Sequence, residues 1–131
     1  MLCEHECLTI LLRGRQPIIV CPARSLKRLR MKTEYKKPIE KGRLLLLSPF
    51  KESQKRNTIE TANERNRFVA ALADAVFVAH GASNSKTEFF CREVFSWGKP
   101  LYTLQSDANK SIIAVGAKPI VIDDLVRFLS T

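Results

Sequence analysis

Two clusters in the sequence have the residue types and spacing to hold an anion. The first is the consecutive triplet Arg65-Asn66-Arg67, set in a segment of helical patterning. Three consecutive residues span most of a helix circumference, so at least one must face inward or along an edge, where an arginine needs an acidic partner or a phosphate. Glu64 and Asp74 are the acidic candidates nearby. The second cluster is the turn at 81–87, in which Gly81 permits close backbone approach and the hydroxyls of Ser83, Ser85 and Thr87 can donate to phosphate oxygens. Plain helix capping also accounts for most of that turn. Ser85 with Glu88 forms an S-x-x-E capping box, Ser83-Asn84 is a polar turn, and Thr87 falls in the first helical turn.

No catalytic constellation accompanies these clusters. His5 and His80 are the two histidines, and neither has a serine or cysteine nucleophile at a recognisable spacing. The P-loop pattern G-x-x-x-x-G-K-[ST] and the dinucleotide pattern G-x-G-x-x-G are both absent. The cysteines are Cys3, Cys7, Cys21 and Cys91, with no CxxC pair. A helix would put Cys3 and Cys7 on one face and turn His5 away, and no second ligand cluster completes a tetrahedron. The reading calls for no metal, no cofactor and reduced thiols.

The elements that must position the two clusters follow from the apolar pattern. Cys3, Cys7, Ile10 and Leu11 are at helical spacing and Gly14 stops that helix. The runs at 17–21, 43–48, 75–79, 100–104 and 119–122 are short and apolar, as strands covered on both faces would be. Between them, helices are expected near 58–72, with Ile59, Ala62, Phe68, Val69 and Leu72 approximating a face, and from Ser85 to a stop at Gly98, burying Phe89, Phe90, Val94 and Phe95. Trp97 reads as helix-to-sheet packing. A short helix at 108–115 and a last one at 123–129 complete the set, and the basic segment 22–42 reads as one or two short surface helices broken before Pro38. Strands alternating with helices predict an α/β, three-layer Rossmann-like sandwich, a single domain over 1–131 with a mostly parallel sheet of about five strands. The carboxyl ends of parallel strands share one rim, so Arg24, Ser48-Pro49-Phe50 and His80-Gly81 are expected there together, beside the positive end of the helix that Ser85 begins.

The chain has 131 residues and a net charge of +9, and the entire excess lies in its first half. Residues 24–43 alone hold nine Lys/Arg, among them Arg24, Lys27, Arg28 and Arg30, against Glu34 and Glu40. Such clustering attracts polyanions by counterion release, nucleic acid being the commonest, although a basic run can also be no more than solvated surface. No apolar run in the sequence is long enough to span a membrane. With two glutamates and no basic stretch in MLCEHECLTI, a signal peptide is not indicated, and a cytoplasmic location is expected.

The order of these motifs resembles the second half of the Rossmann-like domain of the DNA-processing protein A family, also called DprA or Smf, in the superfamily that includes the cytokinin-activating phosphoribohydrolases. The resemblance covers roughly residues 15–105 and rests on the leucine-rich strand ending in Ser48-Pro49-Phe50, on Arg65-Asn66-Arg67, on the strand from Asp74 to Ala79 with its Gly/Ser/Thr turn, and on Gly98-Lys99-Pro100. It implies a fold that binds single-stranded DNA on a basic rim, dimerises and helps load a recombinase in DNA uptake and recombination. It places Arg65, Asn66 and Arg67 at the phosphate pocket, with Ser83, Ser85 and Thr87 opposite. Three departures stand out. The family's Gly-rich loop would lie upstream of residue 1, so a partial version lacking the first strands is expected; the S-G-S turn reads Ser83-Asn84-Ser85; and the basic 24–43 segment is unlike the commonest members. The alternative is a nucleotide-ligand sensor or a phosphoribohydrolase-like enzyme in the same pocket, with Glu88 as its acid/base residue. A further reading is an interaction module that dimerises through an exposed sheet edge. Few aromatics read as exposed, which predicts limited stacking and steep salt dependence of binding.

Overall fold

The computed structural model describes residues 4–129. Within them, five strands alternate with six helices, and every strand pairing is parallel, a Rossmann-like α/β arrangement. The strands form a hydrogen-bonded pair and a hydrogen-bonded triple, and the chain divides into two compact units, Arg15–Leu72 and Met1–Gly14 with Ala73–Thr131. The suggested Cys3 position falls outside the described residues.

In the unit Arg15–Leu72, β1 (Ile18–Val20) pairs with β2 (Leu44–Leu46), Ile18 opposite Leu44 and Val20 opposite Leu46. The runs were expected to be covered on both faces. Instead Ile18 and Leu44 are buried, whereas their neighbours Ile19 and Leu45 are 62% and 55% exposed. Alternating side chains point to opposite faces of a strand, so these two lie side by side on the open one. The crossover carries α2 (Thr33–Glu40), which packs on β2 and buries Tyr35. Pro38 lies inside this helix rather than after its end. Its missing N–H removes a single i→i−4 bond, and the helix stops two residues later, where Gly42 takes φ +69 and the Pro38 carbonyl accepts from Arg43 N at 2.8 Å. The last element, α3 (Ile59–Leu72), starts on a reciprocal threonine cap: Thr61 N donates to Thr58 Oγ1 at 3.0 Å and Thr58 N to Thr61 Oγ1 at 2.8 Å. It buries Thr61 and Ala70, not the expected face, and Ile59, Val69 and Leu72 are exposed.

In the other unit, β3 (Val76–Val78), β4 (Leu101–Leu104) and β5 (Lys118–Ile120) form the triple with β4 in the middle. Around them are α1 (Glu4–Arg13), α4 (Lys86–Ser96), α5 (Lys110–Val115) and α6 (Ile122–Leu129); α1 packs on α6, and α4 on α5. The core is built from Cys91 and Val94 of α4, Leu101 and Leu104 of β4, and Ile112, with Leu125 packed among Cys7, Ile10, Phe77 and Ile120. The buried stripe of α4 is Glu88, Cys91 and Val94, spaced three apart, so Phe89 (69% exposed), Phe95 and Trp97 are left largely outside. Phe95 lies against Gly116, where φ is +137 and an added Cβ would come within 2.3 Å of its ring. The aromatics expected to pack inward from this helix are therefore partly at the surface.

Candidate nucleic-acid interface

Two loops leave the carboxyl ends of β1 and β2, and side chains stitch them together. Ser48 Oγ donates to the Arg24 carbonyl at 2.6 Å and accepts from Phe50 N at 3.2 Å. Ser25 N donates to the Gln54 carbonyl at 2.6 Å, and the buried Ser25 hydroxyl accepts from Lys27 N at 3.0 Å. The Arg24 guanidinium folds back onto this turn, donating to the carbonyls of Ser25 and Lys27, both at 3.0 Å. Lys27 Nζ pairs with Glu52 at 3.2 Å. An open cleft of about 410 Å³ results, lined by Ser25, Leu26, Lys27, Ser48, Phe50 and Glu52. Beyond it Arg28 and Arg30 are exposed, Arg28 with φ +57, a left-handed conformation uncommon for an arginine.

Helix α3 brings the arginine triplet to the same unit. Arg65 Nη1 donates to the Cys21 carbonyl at 2.9 Å and its Nε to Asn66 Oδ1 at 2.8 Å. The partner of Arg65 is thus a backbone carbonyl at the end of β1 and an amide neighbour, rather than either acidic candidate, Glu64 or Asp74. Burial pushes the Cys21 thiol up, with the positive charge of Arg65 pulling the other way. Arg67 is exposed.

The second predicted cluster belongs to the other unit. After β3, the chain passes through His80 and Gly81, which are held by Asn109, a side chain with 0% exposure. Asn109 Oδ1 accepts from Gly81 N at 3.1 Å and lies 3.2 Å from His80 Nδ1, while Nδ2 donates to the carbonyls of Ala79 at 3.1 Å and Leu104 at 3.0 Å. One amide therefore ties together the ends of β3 and β4. The capping box is present: Ser85 Oγ accepts from Glu88 N at 3.2 Å and donates to the Ala82 carbonyl at 2.6 Å. In this arrangement the Ser85 hydroxyl serves as the helix cap. The Glu88 carboxylate accepts from Asn84 N at 2.8 Å, with Asn84 at φ +59, and from Arg92 at 3.4 Å, so the residue considered for acid/base work is occupied in the cap. Ser83 is exposed and Thr87 half-buried, its methyl close to Gly81. Among the described residues no group of three His, Cys, Asp or Glu could hold a metal, and no helix is long and apolar enough to cross a membrane.

The chain matches no protein-family model and no curated protein. Solved structures do match. DNA processing protein A (DprA) from Streptococcus pneumoniae aligns with a TM-score of 0.62 at 14% identity, over 97% of this chain and 57% of that one. DNA processing protein A from Helicobacter pylori, whose structure is described as giving insight into a unique single-stranded DNA binding mode, aligns with a TM-score of 0.63 at 18% identity, over 98% and 75%. The chain has a DprA-like fold. It spans little more than half the length of the pneumococcal DprA chain.

Within this DprA-like fold, Arg24, Lys27, Arg28, Arg30, Arg65, Asn66 and Arg67 belong to one compact unit, and Gly81, Ser83, Ser85 and Thr87 to the other. Sequence reasoning missed two features: Asn109, and the grouping of Phe50, Lys27 and Glu52 around one cleft. The only signal for the second was the abrupt Ser48-Pro49-Phe50 exit from a strand; Asn109, 28 residues from Gly81, left none.

Proposed function

We propose that this chain binds single-stranded nucleic acid, DNA foremost, and serves DNA processing in uptake or recombination. The observation that carries the reading is the placement of the basic segment: Arg24 and Lys27 stand at the carboxyl ends of two parallel strands, where α/β proteins take phosphate-bearing ligands. The DprA-like fold supports it. Phosphates would be held by Lys27, Arg28, Arg30 and Arg67, with Arg65 and Asn66 supporting that surface and the turn at Gly81, Ser83 and Thr87 as a second contact. A second copy of the chain and a recombinase are the protein partners this reading carries, in the cytoplasm.

The test is fluorescence anisotropy of a single strand of about 30 nucleotides over a salt series, with wild type and Arg67→Ala. Binding that weakens steeply with salt and is further weakened in the variant supports the proposal. Absence of binding at low salt overturns it.

A further inference from the structure

A surface that only neutralises phosphates needs cations, yet the cleft at the ends of β1 and β2 contains more than these. Phe50 gives it an aromatic ring, Leu26 an aliphatic wall, and Glu52 a carboxylate that would repel a backbone phosphate. The Lys27–Glu52 pair is exposed, with side chains 49% and 79% accessible, so it contributes little to stability. Its geometry instead sets a cation and an acceptor side by side at the mouth. The ammonium has three donors, of which Glu52 takes one. The walls are fixed by contacts that need no ligand: Ser48 to Arg24 and Phe50, Ser25 to Gln54 and Lys27. The cleft is open to solvent, so a strand could enter it from the side.

We infer that this cleft takes one unstacked nucleotide of the bound strand and reads its base. The base stacks on Phe50 against Leu26, its phosphate meets the Lys27 ammonium, and its exocyclic amine donates to the Glu52 carboxylate. Thymine and uracil lack that amine, so amino-bearing bases are preferred. The inference rests on the nucleic-acid reading above and adds base selection to it.

Anisotropy with oligo-dC and oligo-dT of about 30 nucleotides at pH 8 tests it, using the full chain, Glu52→Leu and Phe50→Ala. The expected result is dC at least about threefold tighter than dT in wild type, and a ratio near one in Glu52→Leu. Phe50→Ala weakens both by about fivefold or more, since stacking on an aromatic is sequence-tolerant. Circular dichroism of each variant confirms that it is folded, and Phe50→Trp, which retains a ring, restores binding. Equal dC and dT affinities in wild type, or a dC preference that survives Glu52→Leu, overturn the inference while leaving strand binding intact. Binding of neither oligonucleotide overturns both.

Discussion

Arg65 reaches from α3 to the end of β1, where its Nη1 donates to the Cys21 carbonyl at 2.9 Å. The two residues are 44 apart in sequence, and the bond joins a helix to the first turn of the basic loop. A charged donor used in this way holds the rim in place; the exposed Arg67, two positions on, faces solvent.

Arg65→Ala is therefore expected to lower stability by about 1.5–3 kcal/mol, the range for a lost charge-assisted bond. Arg67→Ala should weaken strand binding and lower stability less than Arg65→Ala. Urea denaturation of each variant, set beside its anisotropy titration, separates the two roles; equal stability losses would contradict the assignment.

Reversing Lys27, Arg28 and Arg30 to glutamate should flatten the salt dependence of binding. The slope of log K against log salt should fall by about one for each phosphate contact removed. A slope identical to wild type would remove the 24–43 segment from the interface.

Asn109→Ala should cost about 3 kcal/mol, because it leaves the buried Gly81 N–H and two strand-end carbonyls without their partner. In a melting experiment that corresponds to a fall on the order of 10 °C. Asn109→Asp should be no better, since a carboxylate cannot donate to the Ala79 and Leu104 carbonyls. A melting point unchanged in both would mean that the clamp is dispensable.

Cys91 should titrate late. Burial first, and the nearby Glu88 second, push its thiol from 9.0 up to about 11. An unfolded chain loses this proton near pH 9 while the native one keeps it, so the stability linked to Cys91 is full below pH 9 and is lost as pH rises toward 11. Native protein at pH 8 should resist iodoacetamide at Cys91 and become labelled there on addition of denaturant, as peptide mapping would show; rapid native labelling would contradict the burial.

Most element boundaries were legible because short apolar runs and capping residues are local signals. The Ser85-Glu88 box and the five strands are cases in point, each strand and α6 falling within one or two residues of its expected bounds. Which residues of an element meet the core was less legible. Phe89 and Phe95 carry more apolar area than Cys91, yet Cys91 lies on the stripe with Glu88 and Val94, and side-chain direction along a helix decides burial. Pro38 within α2 was hidden because its cost depends on how soon the helix ends. The arginine triplet stood out in the sequence, but the partner of Arg65 did not, because a backbone carbonyl leaves no trace in residue identity. For the same reason the four contacts of Asn109, spread over Ala79, His80, Gly81 and Leu104, belong to tertiary structure alone.

The Asn109 clamp also settles the protonation pattern of a neighbouring ring. Its Nδ2 faces two carbonyl oxygens, so turning the amide over would set oxygen against oxygen twice, and Oδ1 is fixed as the atom that meets His80. An acceptor 3.2 Å from Nδ1 requires a hydrogen on that nitrogen. Neutral His80 is therefore the Nδ1–H tautomer, with its lone pair on Nε2 of an exposed residue. Anything approaching the end of β3 meets a ring nitrogen able to accept a hydrogen bond.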